Sequence, residues 1–389
     1  VFGEYLDHNA AAPLRPEVLG ALMLAMEQQQ ANPGSAHGAG RFWRRRIDAA
    51  RREVAGLVGA QPHEIVLTGS GTEACFLALH GVIEAARTRS VEPPLVLATP
   101  IEHAAIREPL CAMAARGTIR LLLCPVGASG RVDADWFADH LTQIPVLVVC
   151  QWANNETGVI QPVLEVADLC RAHETRLLVD AVQWAGRGPI DLTAQPIDLL
   201  VLSSPKLGGP TGAGALFIRE GLALEPYLVA GKQEGGLRGG TENSLGWIGF
   251  GAAAAAARET WAAEVAHEAP LTARLVEQVL ARVPGARLAG DGSTRIANTA
   301  QFLVPHDDEE MLILALDRLG YAVSAGSACA AGAHERSHVL RAMGLLEPGF
   351  ASVRVSIGSG TTARAIDDFV TALCTGIQAA RPDEAEVAR

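Results

Sequence analysis

The segment VLSSPKLGGPTGAGALFI, residues 201 to 218, carries a lone lysine, Lys206, at the end of an apolar run and just ahead of a glycine-rich turn. An amine desolvated at the end of an apolar strand loses part of its preference for the charged form, and can then form a Schiff base with a carbonyl. Upstream, RLLVDAVQ ends on Asp180, with Gln183 just beyond. A carboxylate at that depth needs a cationic partner, and a protonated pyridine nitrogen would serve. Earlier still, TGSGTEACFLALHG runs a glycine-rich turn into a helix and offers backbone N–H groups at Gly71, a helix dipole and the Thr72 hydroxyl to an anion. Each feature alone has a plain reading: a snorkelling surface lysine, a helix cap, a structural turn. In this chain order they are an anion cradle, an acid for a ring nitrogen and a Schiff-base lysine, the requirements of pyridoxal 5'-phosphate.

Those residues must be held by strand ends. Between about residue 60 and residue 220, the runs EIVLTGS, PLVLATP, IRLLLCPV, VLVVCQWANNETG, RLLVDAVQ, DLLVLSSPK and GALFIR alternate with helical patterns. Continuous apolar strands separated by amphipathic helices predict an α/β fold, a mainly parallel sheet with helices on both faces. GALFIR follows KLGGPTGA too closely for a crossover helix, so it is expected to pair antiparallel. After residue 244 an alanine-rich helical stretch leads into strands NTAQFLV and SVRVSIG and helices DDEEMLILALDRLG and AIDDFVTALCTGIQAA, predicting a smaller α+β domain. The expected organisation is an N-terminal arm over 1–15 joining the small domain, a large cofactor-binding domain over 16–250, and a small C-terminal domain over 251–389.

Composition excludes other classes. The chain has 389 residues, 49% hydrophobic and 19% charged, so it can bury large cores and is not disordered. Its net charge of -11 without a basic cluster argues against direct nucleic-acid binding, and no apolar run could span a bilayer. Seven cysteines without a C-x-x-C pair fit neither a disulfide scaffold nor a zinc site, and no metal is expected. The opening residues show no secretory pattern, and the expectation is a cytoplasmic protein with reduced thiols.

The order of motifs over nearly the whole chain resembles the cysteine desulfurases, within the class V aminotransferase family and the type I fold of pyridoxal-phosphate enzymes. The resemblance is carried by YLDHNAAA, NPGSAHGAG, GTEACFLAL, IEHAAI, WANNETGVIQP, VDAVQ, SSPKLGGPTGAGAL, KQEGGLRGGTEN, SAGSACAAG, SHVLRAMG and VRVSIGSGTT. It implies that Lys206 holds the cofactor, Asp180 pairs with the ring nitrogen, Gln183 and Asn155 contact the phenolic oxygen, and His103 stacks on the ring and moves protons. Gly71, Thr72 and Ser203 would hold the phosphate, with Thr241 reaching in from the second subunit of a homodimer. Arg354, Asn32 and Asn155 would bind the substrate, with Arg354 and Asn32 on its carboxylate. Cys329 would take sulfur from L-cysteine as a persulfide, release L-alanine and pass the sulfur to an acceptor protein. The other six cysteines are expected to be inert core thiols.

The chain departs from that pattern at several basic positions. Pro205 stands where a histidine usually contacts the phosphate, Thr211 where GPKG is typical, Gly235 where QERG would place arginine, and Ser359 where arginine often follows the carboxylate-binding segment. The expectation is a cradle that leans on Ser203, Ser204 and Thr72, in a desulfurase specialised for one sulfur pathway. The alternatives are a carbon–sulfur or selenocysteine lyase on the same cofactor and a non-enzymatic scaffold. The GSAC motif argues against the first and the joint retention of Lys206, Asp180, His103, Cys329 and Arg354 against the second.

Overall fold

The computed structural model describes residues 3–326 and 336–379. Its strands are β1 (Glu4–Tyr5), β2 (Ile65–Thr68), β3 (Leu95–Ala98), β4 (Arg120–Leu123), β5 (Leu147–Val149), β6 (Arg176–Asp180), β7 (Leu199–Ser203), β8 (Gly214–Ile218), β9 (Arg287–Leu288), β10 (Thr299–Pro305), β11 (Tyr321–Ala322) and β12 (Phe350–Ser356). The helices are α1 (Pro16–Met26), α2 (Gly38–Leu57), α3 (Gly71–Arg87), α4 (Ala104–Ala115), α5 (Ala134–Leu141), α6 (Val163–Ala172), α7 (Ser244–Arg282), α8 (Glu309–Arg318), α9 (His338–Ala342) and α10 (Ala363–Ala379).

Seven strands form the main sheet in the order β2-β8-β7-β6-β5-β3-β4. Strands β3 to β7 pair in parallel, and β8 runs antiparallel to both of its neighbours, as the short connection after Lys206 requires. Because side chains alternate along a strand, each strand feeds two cores. Leu67, Leu97, Val148, Val179, Leu202 and Phe217 face one apolar cluster, while Val66, Val96, Val149, Leu178, Val201 and Leu216 face the other. Both faces are therefore dry, and the polar groups of the sheet emerge only at its ends.

A second sheet, β12-β10-β9, is antiparallel and packs with α8 and α10 around Phe302, Leu312, Val353 and Phe369. Helix α7 runs unbroken for 39 residues across the boundary anticipated near residue 250, despite Pro270 inside it. Its first half buries Trp247, Phe250 and Ala254 in the large-sheet core, and its second half buries Leu275 and Val279 in the small one. Packing on both halves outweighs the local cost of the proline. The N-terminal arm pairs β1 with β11, bridges Asp7 to Ser356, then crosses to the large sheet, where Ala12 N donates to Pro205 O at 2.9 Å. Among the described residues no helix is long and apolar enough to cross a membrane, and no group of acids, histidines and cysteines could hold a metal ion.

Candidate active site

At the carboxyl end of β6, Asp180 is buried and its Oδ1 accepts from Val182 N at 2.9 Å. Burial pushes its carboxyl above the usual carboxylate range, while the charges of His103 and Lys206 pull it back down. Those opposing effects place the acid, the imidazole and the amine in one electrostatic neighbourhood. Lys206 follows β7 on a short 3-10 helix, Ser204–Leu207, closed by Gly208 at φ 74°, a left-handed backbone that glycine adopts without strain. Its Nζ donates to Ala10 O on the arm.

His103 caps the N-terminus of α4, and its Nδ1 accepts from Ala105 N at 3.1 Å, which puts the neutral ring's proton on Nε2. Beside it Glu102 is fully buried, with Oε1 accepting from Thr99 Oγ1 at 2.7 Å and Gln151 N at 3.0 Å. Burial raises the Glu102 carboxyl to about 8 against the pull of those two hydrogen bonds. Glu102 is thus a neutral acid near neutrality and does not compete with Asp180 for a cation.

The anion cradle is a crevice between α3 and the end of β7. A Cβ added to Gly71 would lie 3.0 Å from Ser203 Cβ and 3.3 Å from its Oγ, so glycine keeps the crevice open. Ser70 caps α3 by accepting from Glu73 N at 3.0 Å, and Thr72 is exposed on the first turn. The acid in that turn, Glu73, is held by Arg238 at 2.8 Å, which offsets its charge where an anion would dock. Ser204 is fully buried against Gly209, so Ser203 is the hydroxyl that lines the crevice.

On the other flank, Arg354 lies in the middle of β12 and is 1% exposed. Its Nη2 meets Asp7 Oδ1 at 2.6 Å and its Nη1 donates to Asn155 O at 3.0 Å. Asn9 of the arm donates through Nδ2 to that same carbonyl at 3.2 Å, and its own carbonyl accepts from Gln183 Nε2 at 3.1 Å. Asn155 Oδ1 and Gln183 Oε1 are buried with no hydrogen-bond partner. These two acceptors have capacity left over for a ligand's donor such as a phenolic O–H, and Asn155 keeps its own side-chain N–H group to offer in return. With the acid of Asp180, the amine of Lys206 and the Gly71–Ser203 crevice, the donor set fits pyridoxal phosphate.

Asn32 and Thr241 lie apart from this group. Asn32 is exposed, its Oδ1 accepts from Gly34 N at 2.8 Å, and Ala31 beside it packs with Trp43 and Ile248. Thr241 is exposed next to Glu242, which Arg44 on α2 holds at 2.7 Å. Cys329 falls outside the described residues. Of the remaining thiols, Cys75, Cys124, Cys150 and Cys170 are buried, with Cys124 raised to about 11 and Cys170 to about 12 by burial. Cys111 is exposed and Cys374 half-buried, so the expectation of six core thiols is met by four. Gly235 has φ 66°, a conformation an arginine there would adopt only with strain. The residues that pattern reading passed over are those of the arm, Asp7, Asn9 and Ala10, whose only sequence signal was their place in YLDHNAAA.

Residues 4–369 match the family model described as Aminotransferase class-V. The chain is 38% identical to a cysteine desulfurase of Cereibacter sphaeroides over 95% of its own length and 94% of the relative's. It is 36% identical to the cysteine desulfurase NifS of Azotobacter vinelandii, over 94% and 90% of the two chains. A solved NifS-like protein superposes with a TM-score of 0.88 at 30% identity, over 96% of this chain and 98% of the other.

Proposed function

The chain belongs to the class-V aminotransferase family, and on that premise we propose that it is a pyridoxal-phosphate-dependent cysteine desulfurase, which converts L-cysteine to L-alanine and leaves the sulfur as a persulfide on Cys329. The observation that carries this reading is the convergence of Asp180, Lys206 and His103 on one flank of the site and Arg354 on the other, joined through Asn155, Gln183 and the arm.

Bound there, the cofactor supplies an aldehyde for amines and an electron sink that lowers the cost of removing the Cα proton. The protein's part is positioning and proton handling. Asp180 faces the ring nitrogen, and the Lys206 charge and the Val182 N–H offset part of the cost of burying its charge. His103 presents Nε2 as the atom that gives and takes protons. Lys206 supplies the amine that substrate replaces. Gly71, Thr72 and Ser203 take the phosphate, and Arg354 takes the substrate's α-carboxylate. Cys329 supplies the thiolate that attacks the substrate's sulfur, a role that a plain elimination would not need. We further infer a homodimer in which Thr241 completes the partner's cradle, a reading supported by its exposure and its place outside the chain's own cluster. Asn32, exposed near the same region, is assigned to the substrate by its motif alone. The sulfur leaves on an acceptor protein. Loss of basic residues at 205, 211, 235 and 359 supports an enzyme specialised for one acceptor.

The test is product identity. Alanine formed in equal amount to sulfide under reductant, with all turnover lost in Cys329→Ser, is the expected result. Pyruvate and ammonia in place of alanine would establish a lyase.

A further inference from the structure

The substrate-side arginine already holds a carboxylate. Arg354 has a side chain only 2% exposed, and Asp7, the more accessible partner at 17%, sits on it at 2.6 Å. The Arg354 Nε is buried with no hydrogen-bond partner among the described residues, so a carboxylate that took the guanidinium edge bidentately, through Nε and Nη2, would meet Asp7 on Nη2. The other ligand, the Asn155 carbonyl, is backbone in a tightly bonded turn where Asn154 Oδ1 accepts from Glu156 N and Thr157 N, both at 2.9 Å. Among the described residues the Asp7 side chain bonds to Arg354 alone, while its backbone is tied separately: it bridges Ser356, and its carbonyl accepts from Tyr5 Oη at 3.0 Å and Ala10 N at 3.0 Å. Its side chain can therefore swing away by rotation about χ1 while the arm stays in place.

From this geometry we propose that Asp7 is a built-in competitor for the substrate's carboxylate on Arg354, and so sets how tightly the site holds an amino acid. The proposal rests on the reading of Arg354 as the carboxylate-binding residue. In the ligand-free protein the pair is neutral, and adding a second carboxylate to the same partly buried cation would leave a net negative charge. Displacement avoids this, because Arg354 exchanges one carboxylate for another and binding reports only the difference. The consequence extends to release. Substrate and product amino acids share the α-carboxylate, so strong capture of that group would lower KM without speeding the chemistry and would slow product departure. Asp7 reclaims the guanidinium as alanine leaves.

The experiment uses the holoenzyme and reads the change in the cofactor's visible absorption as ligand is added. S-methyl-L-cysteine has the carboxylate but no free thiol, and cysteamine has the thiol but no carboxylate. Asp7→Asn keeps a neutral hydrogen bond to Arg354 and loses the charge assistance, so S-methyl-L-cysteine is expected to bind about tenfold tighter, with cysteamine unchanged. Unchanged or weaker binding of S-methyl-L-cysteine, or equal tightening of both ligands, overturns the proposal. Arg354→Ala tests the underlying reading separately: if it leaves S-methyl-L-cysteine binding intact, Arg354 is not the carboxylate site at all. Should Asp7→Asn fail to fold, a crystal structure of the wild-type holoenzyme with S-methyl-L-cysteine decides. Asp7 withdrawn from Arg354 supports displacement, and Asp7 still bonded beside the bound carboxylate refutes it.

Discussion

Two buried carboxyl groups a short distance apart are driven to opposite roles. Burial raises both, but Asp180 has the Lys206 ammonium and the Val182 N–H to pull it back, whereas Glu102, held by the neutral donors of Thr99 and Gln151, keeps its proton to about 8. The raised group also leaves a mark on stability. Unfolded, Glu102 ionises near its ordinary value, so the stability it contributes is fully present below about pH 4.5 and is lost as pH rises through about 8. Glu102→Gln cannot ionise and keeps the oxygen that accepts from Thr99 and Gln151. Its melting temperature should match the wild type at the acid end and exceed it by roughly 5 °C at about pH 9. Thermal unfolding of both proteins across that range checks this, and a difference that does not change with pH would rule out Glu102 as the titrating group.

At the scale of elements, the 3-10 turn after β7 gives Pro205 a physical role that its side-chain chemistry does not. It stands second in Ser204–Leu207 with φ fixed by its ring, and its carbonyl accepts from Ala12 N. The proline stiffens the turn that presents Lys206 and gives up any side-chain contact to the phosphate. Pro205→His should therefore retain more cofactor through dialysis, while its urea midpoint falls by the equivalent of about 1 kcal/mol. Equal retention in both proteins would show that this position does not limit cofactor binding. The strands of the main sheet were legible because residues dry on both faces read as unbroken apolar runs, and β8 declared its direction through the shortness of its connection. Helix α7 was legible as one helix or two, and the packing that makes it one across Pro270 comes from two separate cores. Lys206 and Asp180 could be found because Asp180 ends the apolar strand β6 and Lys206 follows the apolar strand β7 within one short turn. Asp7 and Asn9 could not, because a short polar segment without periodicity takes its meaning from partners hundreds of residues away.

For the whole molecule, the question is whether one chain makes a complete site. Asn32 and Thr241 lie outside the cluster that joins Lys206, Asp180, Gln183 and Arg354, and both are exposed. If Thr241 serves the partner's cofactor, Lys206→Ala and Thr241→Ala chains, each weak alone, should regain activity when refolded together. In a mixed dimer, the site that keeps Lys206 then receives an intact Thr241 from the other chain. Recovery approaching half the wild-type activity per mixed dimer is expected. No recovery in a preparation shown to contain mixed dimers would mean that Thr241 acts within its own chain.

The reach of the arm has a consequence for how the protein comes into being. Asp7 and Arg354 are 347 residues apart, and the small sheet that the arm joins is finished only by β12. During synthesis the arm emerges well before β10 and β12 and waits for them, although the seven-stranded sheet can close by β8. A nascent chain can therefore place Lys206 and Asp180 at their strand ends long before Arg354 has its partners on the arm. The Arg354 flank is thus the last part of the cluster to form, and it cannot close until β12 has been made.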